Sequence, residues 1–237
     1  ILNDKCPEVE VTAVCDVNPA RLEFALGRLN AHRSAKPDNG YPDIATFESG
    51  DEMFASGLID AVIIAIPHYG HPDYAIKAMK AGLHVMCEKP MAKTAEGARA
   101  MVAAARETGK KLAIGYQHRM KPQARYAKEY IESGALGDIY YVNCLATRRR
   151  GTPNWGVFLD AEAQGGGPII DIATHSLDLT LYLMNNYEPE MVVGKTHKKL
   201  EHPEAGNIWG DSGVSTTPLE EAACAFIRMK NGATILL

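Results

Sequence analysis

The 237-residue chain lacks several features that would place it quickly. It has no apolar run of membrane-spanning length, which argues against a membrane helix as its anchor. It has no internal repeat and no low-complexity segment, so a solenoid or a disordered tail is not indicated. Five cysteines stand at positions 6, 15, 87, 144 and 224, with no CxxC and no regular spacing. That pattern excludes a disulfide frame or a zinc site and suits reduced thiols in a reducing, cytoplasmic compartment. Cys15, Cys87 and Cys224 lie in apolar runs and are expected to be buried. Basic charge is also scarce: 25 Lys and Arg against 29 Asp and Glu give −4, so neither nucleic acid nor an anionic membrane is expected as a partner. The one dense basic run, Arg148–Arg150, has no aromatic ladder beside it and reads as a strand end facing substrate or solvent. There is no initiator Met and no visible signal. The natural N-terminus is expected upstream of Ile1, so a signal segment is left open.

What is present, 46% hydrophobic and 23% charged residues, is the composition of an ordinary globular protein. Val9–Asp16 reads as a buried strand ending in an acid, and Asn18-Pro19 as a helix cap followed by proline at the first helical position. Residues 31–43 form an expected loop. Asp60–Pro67 is apolar throughout and reads as a parallel-type strand. His71-Pro72 opens a helix that Gly82 closes. Leu83–Cys87 is a strand, Thr94 caps a helix ended by Gly109, and Lys111–Tyr116 is a further strand. This alternation predicts a doubly wound parallel sheet covered on both faces. After Tyr116 the pattern changes. A helix over 123–133, a longer strand over 138–147, strands at 191–198 and 221–229, and an Asn231-Gly232 hairpin predict an α+β domain with an open-faced, mostly antiparallel sheet. The predicted domains are 1–117, dinucleotide-binding, and 118–237, for substrate binding and oligomerisation. Each is expected to be incomplete at its outer end.

The chemistry concentrates in Gly165–Leu179, GGGPIIDIATHSLDL. Three glycines and a proline bring the backbone into a tight loop. A helix then carries Asp171 and His175, four apart on one face, with Asp178 on the same side. Ile172, Ser176, Leu179 and Leu183 form the stripe expected to face a core. A carboxylate and an imidazole beside a glycine loop suit proton transfer to a small ligand; a buried His held by a helix Asp for stability explains the pattern equally. In an open parallel sheet the ligand crevice lies at the carboxyl ends of the strands. The candidates there for holding a dinucleotide are Asp16, Ile66, Pro67, His71, Glu88, Lys89 and Gln117. Asp16 suits the adenosine ribose hydroxyls and favours NAD over NADP, or simply begins the helix cap. His68 and His71 offer no adequate metal set, and no metal is expected. Lys89, at the mouth of a cleft after an apolar strand, suits a hydrogen bond to a substrate hydroxyl, against the alternative of an exposed surface lysine. No G-x-G-x-x-G is present, so the first strand and phosphate loop are expected upstream of Ile1.

Several stretches resemble the Gfo/Idh/MocA family of NAD(P)-dependent oxidoreductases: VTAVCDVNPARLE, the AGxHVxxEKP run at 81–90, GYQHRMKP, and the D-I-x-x-H-x-x-D run at 171–178. The similarity covers roughly residues 9–184. It implies a Rossmann domain followed by an α/β domain whose open sheet face often makes the interface of a homo-oligomer, a dimer or tetramer. It implies hydride transfer between nicotinamide and a hydroxyl-bearing carbon of a sugar or polyol. Lys89, Asp171 and His175 would be the catalytic residues: His175 the general acid/base, Asp171 placing substrate and tuning it, and Lys89 contacting substrate hydroxyl and nicotinamide ribose. A cis Lys89–Pro90 bond is also implied. Arg150 and Trp155 are weaker substrate candidates beside Asp171 and His175, Trp155 being equally a loop anchor; Asp160 lies on the same loop. Arg119 is expected to be structural. Two other functions remain open: a redox-neutral enzyme with tightly bound NAD, for glycoside cleavage or sugar–sugar oxidoreduction, and a non-catalytic NAD-dependent regulator.

Overall fold

A computed structural model describes residues 6, 8–34, 43–148, 153–199 and 219–237. The chain divides into two compact units. One comprises Ile1–Ile64, Asp73–Met86 and Ala100–Ala113; the other comprises Ala65–Pro72, Cys87–Arg99 and Ile114–Leu237.

The first unit is built on two parallel sheets. In one, β1 (Ala13–Cys15) pairs with β2 (Ala45–Phe47). In the other, β3 (Ala61–Ile64), β4 (His84–Cys87) and β5 (Leu112–Ile114) lie in that order. A doubly wound sheet commonly runs 3-2-1-4-5-6. The two sheets match 3-2 and 4-5-6 of that order, and no strand joining them is among the described residues. The helices follow their local signals. In α1 (Pro19–Ser34) the Asn18 carboxamide oxygen accepts the Ala20 N–H at 3.0 Å, the expected cap. α2 (Gly50–Ala55) starts at Ser49, whose hydroxyl accepts from the Glu52 N–H. α3 (His71–Lys80) buries Ala75, Ala78 and Met79, and Gly82 follows it at φ +91°. α4 (Ala95–Thr108) begins after Thr94, whose hydroxyl accepts the Gly97 N–H at 3.2 Å.

Several expectations change here. The strand at 9–16 is formed only over Ala13–Cys15, and the loop at 31–43 starts later because α1 runs to Ser34. β2 and α2 have apolar patterns too short to stand out in the sequence. The β3 region is not buried on both faces: Val62 and Ile64 are buried while Ile63 is 53% exposed. Successive side chains of a strand point to opposite faces, and a continuous apolar run does not say whether both are covered.

In the second unit, α5 (Pro122–Glu132) precedes β6 (Tyr141–Asn143). Then come α6 (Ala161–Gln164), a π-helical turn (Ile169–Ala173) and α7 (Thr174–Met184). Strands β7 (Pro189–His197), β8 (Ala222–Met229) and β9 (Thr234–Leu236) complete a sheet in the order β6-β9-β8-β7. β6 and β9 are parallel and the other two pairings antiparallel, so the sheet is mostly antiparallel as expected. The turn at Asn231-Gly232 forms, with Gly232 at φ +88°. The strand expected over 138–147 is confined to β6. One face of the sheet packs Cys144, Ile227, Met229, Ala233 and Ile235 against Leu177, Leu181 and Met184 of α7. The α7 residues on this core differ from the expected stripe of Ile172, Ser176, Leu179 and Leu183. Ser176 instead donates to the Leu145 carbonyl at 3.3 Å. The other face is open: Val193 of β7 and Phe226 of β8 are exposed on it, and so is Cys224, contrary to its expected burial. Cys15 is half-buried, and only Cys87 and Cys144 are fully enclosed.

Ile235 is fully buried at the centre of this core. Ile235→Ala should destabilise the protein by ~2–5 kcal/mol, read as a lowered urea midpoint; an unchanged midpoint would mean that this cluster is not the core of the unit.

Candidate functional site

The second unit gathers three loops around Lys89. The first follows β4, and in it the Lys89–Pro90 bond is cis, as implied above. The Lys89 ammonium donates to both the side chain and the main chain of Asp171, at 3.0 Å to Oδ1 and 2.9 Å to the carbonyl oxygen. Both side chains are largely buried, at 16% and 21% exposed, so each charge depends on the other for compensation. The other Asp171 oxygen lies 3.9 Å from Arg148.

The second loop explains the glycines. Asp160 caps α6, one of its carboxylate oxygens accepting the Glu162 and Ala163 N–H groups at 2.9 and 3.0 Å. Gly165 ends α6 at φ +85°. A Cβ on Gly167 would lie 2.2 Å from the Glu220 carbonyl oxygen, and the Gly167 N–H donates to the Glu220 carboxylate at 2.7 Å. The glycine run therefore lets the chain pass against Glu220 and enter the π turn that carries Asp171. In that turn the Thr174 N–H reaches back to the Ile169 carbonyl, five residues earlier. Such wide turns often mark functional sites.

His175 follows in the first turn of α7. It is buried, and its Nδ1 has no hydrogen-bond partner among the described residues. Burial pushes its pKa down, and Lys89 and His118 add to the effect against the opposing carboxylate of Asp171. The ring is thereby kept neutral and able to accept a proton. His118 stacks on it with centroids 4.8 Å apart and planes 25° apart, and the edge of Tyr116 closes another side at 6.3 Å. The Tyr116 hydroxyl hydrogen-bonds Thr174 at 2.9 Å. Arg119 forks onto Asp178, with Nε donating at 2.7 Å, and its guanidinium stacks on Tyr182. That pair fastens the 3-10 turn Gln117–Met120 to α7 within the second unit, a structural role for Arg119 but not the bridge between domains that the sequence suggests.

The third loop follows β3. His71 is fully buried, and its ring nitrogens lie 2.9 Å from the Ile66 carbonyl and 2.8 Å from the Pro90 carbonyl. It ties the Ile66–Pro67 segment to the Lys89–Pro90 segment. His68 is also buried, and its Nδ1 donates to the Gln164 carbonyl at 3.1 Å. Glu88 accepts the Lys89 N–H at 3.2 Å and packs against Gly115, while Gln117 is exposed at the start of its turn. Trp155 is 48% exposed and meets Phe158 edge-on at 5.3 Å. Arg150 lies outside the described residues.

In the first unit, Asp16 follows β1. One of its carboxylate oxygens accepts the Asn18 N–H at 2.9 Å, and the other lies 3.8 Å from Arg21. The carboxylate keeps acceptor capacity for ribose hydroxyls as well as beginning the helix cap, so the residues present fit a dinucleotide. Among the described residues no His/Cys/Asp/Glu group is arranged to hold a metal.

Sequence reasoning assigned no role to His118 or Tyr116, which have no spacing relation to His175, or to Gln164. Only the GYQHRMKP stretch drew attention to the first pair.

Two outcomes follow from this geometry. Gly167→Ala should displace the Glu220 segment and lower thermal stability together with ligand binding; an unchanged melting temperature would contradict the close approach. His68 and His175 both have depressed pKa values, burial being the first cause in each. Below the ordinary value of about 6.5 the unfolded chain takes up protons that the native rings refuse, so their contribution is complete above that pH and declines as pH falls toward the native values. The urea midpoint should fall between pH 7.5 and 5.5, and fall less in His175→Gln; an equal fall would show that His175 is not held neutral.

Two family models match the chain: an oxidoreductase family with an NAD-binding Rossmann fold over residues 1–116, and the GFO/IDH/MocA C-terminal domain over 124–237. D-glucoside 3-dehydrogenase of Escherichia coli is 33% identical over 230 residues, covering 97% of this chain and 62% of that protein. Levoglucosan dehydrogenase of Pseudarthrobacter phenanthrenivorans is 30% identical over 187 residues, covering 74% of this chain and 47% of that one. Among solved structures, the WlbA dehydrogenase of Bordetella pertussis in complex with NADH and UDP-GlcNAcA has a TM-score of 0.72 at 28% identity, covering 96% of this chain and 63% of that one. The chain thus spans less than two thirds of these relatives.

Proposed function

Since the chain belongs to the GFO/IDH/MocA oxidoreductase family, we propose that its protein transfers a hydride between NAD and a hydroxyl-bearing carbon of a sugar, polyol or sugar derivative. The observation that carries this reading is the Lys89–Asp171 pair with a neutral, partly unsatisfied His175 one turn beyond it. Lys89 holds the substrate oxygen and stabilises the negative charge that grows on it as the O–H proton leaves. His175 takes that proton, and Asp171 orients the ammonium. The chemistry supplied by bound NAD is acceptance of the carbinol hydrogen as hydride at nicotinamide C4. Asp16 takes the adenosine ribose hydroxyls, which favours NAD over NADP. Ile66, Pro67, Glu88, Lys89 and Gln117 hold the remainder of the cofactor, and His71 supports them by fixing the Ile66 and Pro90 carbonyls. Trp155 and Arg150 are the further residues assigned to substrate in this reading.

The same reading assigns residues 1–117 to dinucleotide binding and 118–237 to substrate binding and self-association, a division supported by the ranges of the two family models. The open face of β7 and β8, with Val193 and Phe226 exposed, supports a homo-oligomer, dimer or tetramer, through that face. No helix among the described residues is long and apolar enough to cross a membrane. A cytoplasmic location is supported by unpaired cysteines alone.

The test is NADH formation by the full-length protein with methyl glucosides, cyclic polyols and aldoses. Steady NADH production with one of them is expected, and His175→Ala should lower kcat by ~10²–10⁴-fold while leaving the NAD dissociation constant nearly unchanged. Sugar turnover without net NADH would replace this reading with internal redox cycling, and an equally active His175→Ala would remove the acid/base role.

A further inference from the structure

We propose that His68 and Gln164 form a subsite for a second hydroxyl of the substrate, the one on the ring carbon next to the reacting carbon, so that the enzyme selects a ring polyol with a vicinal diol. This rests on the hydride-transfer reading for the identity of the reacting hydroxyl.

Both residues line one cavity of ≈ 80 Å³, and Asp171, which accepts from Lys89, forms part of the same wall. In the proposed pose, a ring whose reacting hydroxyl meets Lys89 and Asp171 places its neighbouring hydroxyl in this cavity. Phe158 and Ile172 supply apolar wall for the C–H face of such a ring. Arg148, Glu220 and Glu221 also line the cavity, and His68 and Gln164 contribute two neutral acceptors to it. His68 is 7% exposed and uses Nδ1–H to donate to the Gln164 main-chain carbonyl. That bond fixes the tautomer and leaves Nε2 as a lone-pair acceptor, and burial keeps the ring neutral. Gln164 is 4% exposed, and its side-chain Oε1 is buried with no hydrogen-bond partner among the described residues. An unsatisfied buried amide oxygen is costly, and a hydroxyl donor from a ligand removes that cost. A site built in this way rejects an analogue that lacks the hydroxyl, because the acceptor is then left dry and unpaired. The main-chain bond from His68 and the Asp160 cap of α6 hold Gln164 in place, so the pair is set before any ligand arrives.

The test is calorimetric binding to the full-length protein of methyl glucopyranoside and its 2-deoxy and 4-deoxy analogues. The parent should bind the glucoside at least ~10-fold more tightly than one deoxy analogue, and Gln164→Leu should bind both with the weaker affinity. His68→Phe, which removes the other acceptor, should narrow the same difference and provides the readout if Gln164→Leu fails to fold. Failure of the parent to bind the glucoside or to discriminate, or a Gln164→Leu protein that keeps the parental preference, would overturn the subsite. Discriminating binding without any NADH formation would support the subsite and count against the hydride-transfer reading alone.

Discussion

The ammonium of Lys89 is the group on which the second unit's site depends. A cation this enclosed needs compensation, and it finds both available forms in one residue: a carboxylate oxygen and a main-chain carbonyl of Asp171. That carbonyl belongs to the π turn that precedes α7. The pair fixes the loop after β4 against the start of α7, and in doing so sets the distance from Lys89 to the histidine one turn further on.

The surrounding groups keep that arrangement from relaxing. His71 joins two loops through their carbonyls, Gly167 admits the Glu220 backbone, and Arg119 on Asp178 presses the turn bearing His118 against His175. Each is a close approach that a single substitution would spoil. The result is a neutral histidine between a cation and another imidazole, surroundings that disfavour a second positive charge. A proton acceptor suits such a place better than a stabilising ion pair would.

The outline of the fold was legible in the sequence because its helices carry strong local signals. Asn18-Pro19, Gly82, Thr94 and Gly109 mark ends where the helices do begin and stop. Three-residue strands such as β2 carry too little pattern to be seen, and the length of β6 was overestimated because polar and apolar residues continue past its ladder. Lys89, Asp171 and His175 were visible as motifs, but spacing misdescribed their relation. Four residues apart suggested a stacked carboxylate and imidazole, whereas Asp171 engages Lys89 and Arg148, and the ring stacked on His175 is His118. Those partners come from distant segments, and no local period encodes them. The glycines were legible as a turn; that one of them makes room for Glu220 depends on a segment more than fifty residues away.

The central claim is that Lys89 and Asp171 act as one unit on the substrate oxygen. Its most direct test is a double-mutant cycle on kcat/KM with Lys89→Met, Asp171→Asn and the double variant, in the full-length protein with the polyol it oxidises fastest. The losses should be strongly non-additive, the double variant being hardly slower than the worse single one, as for residues that work only together. Losses that simply multiply would show that the two residues act independently, and the account built on their pairing would be wrong.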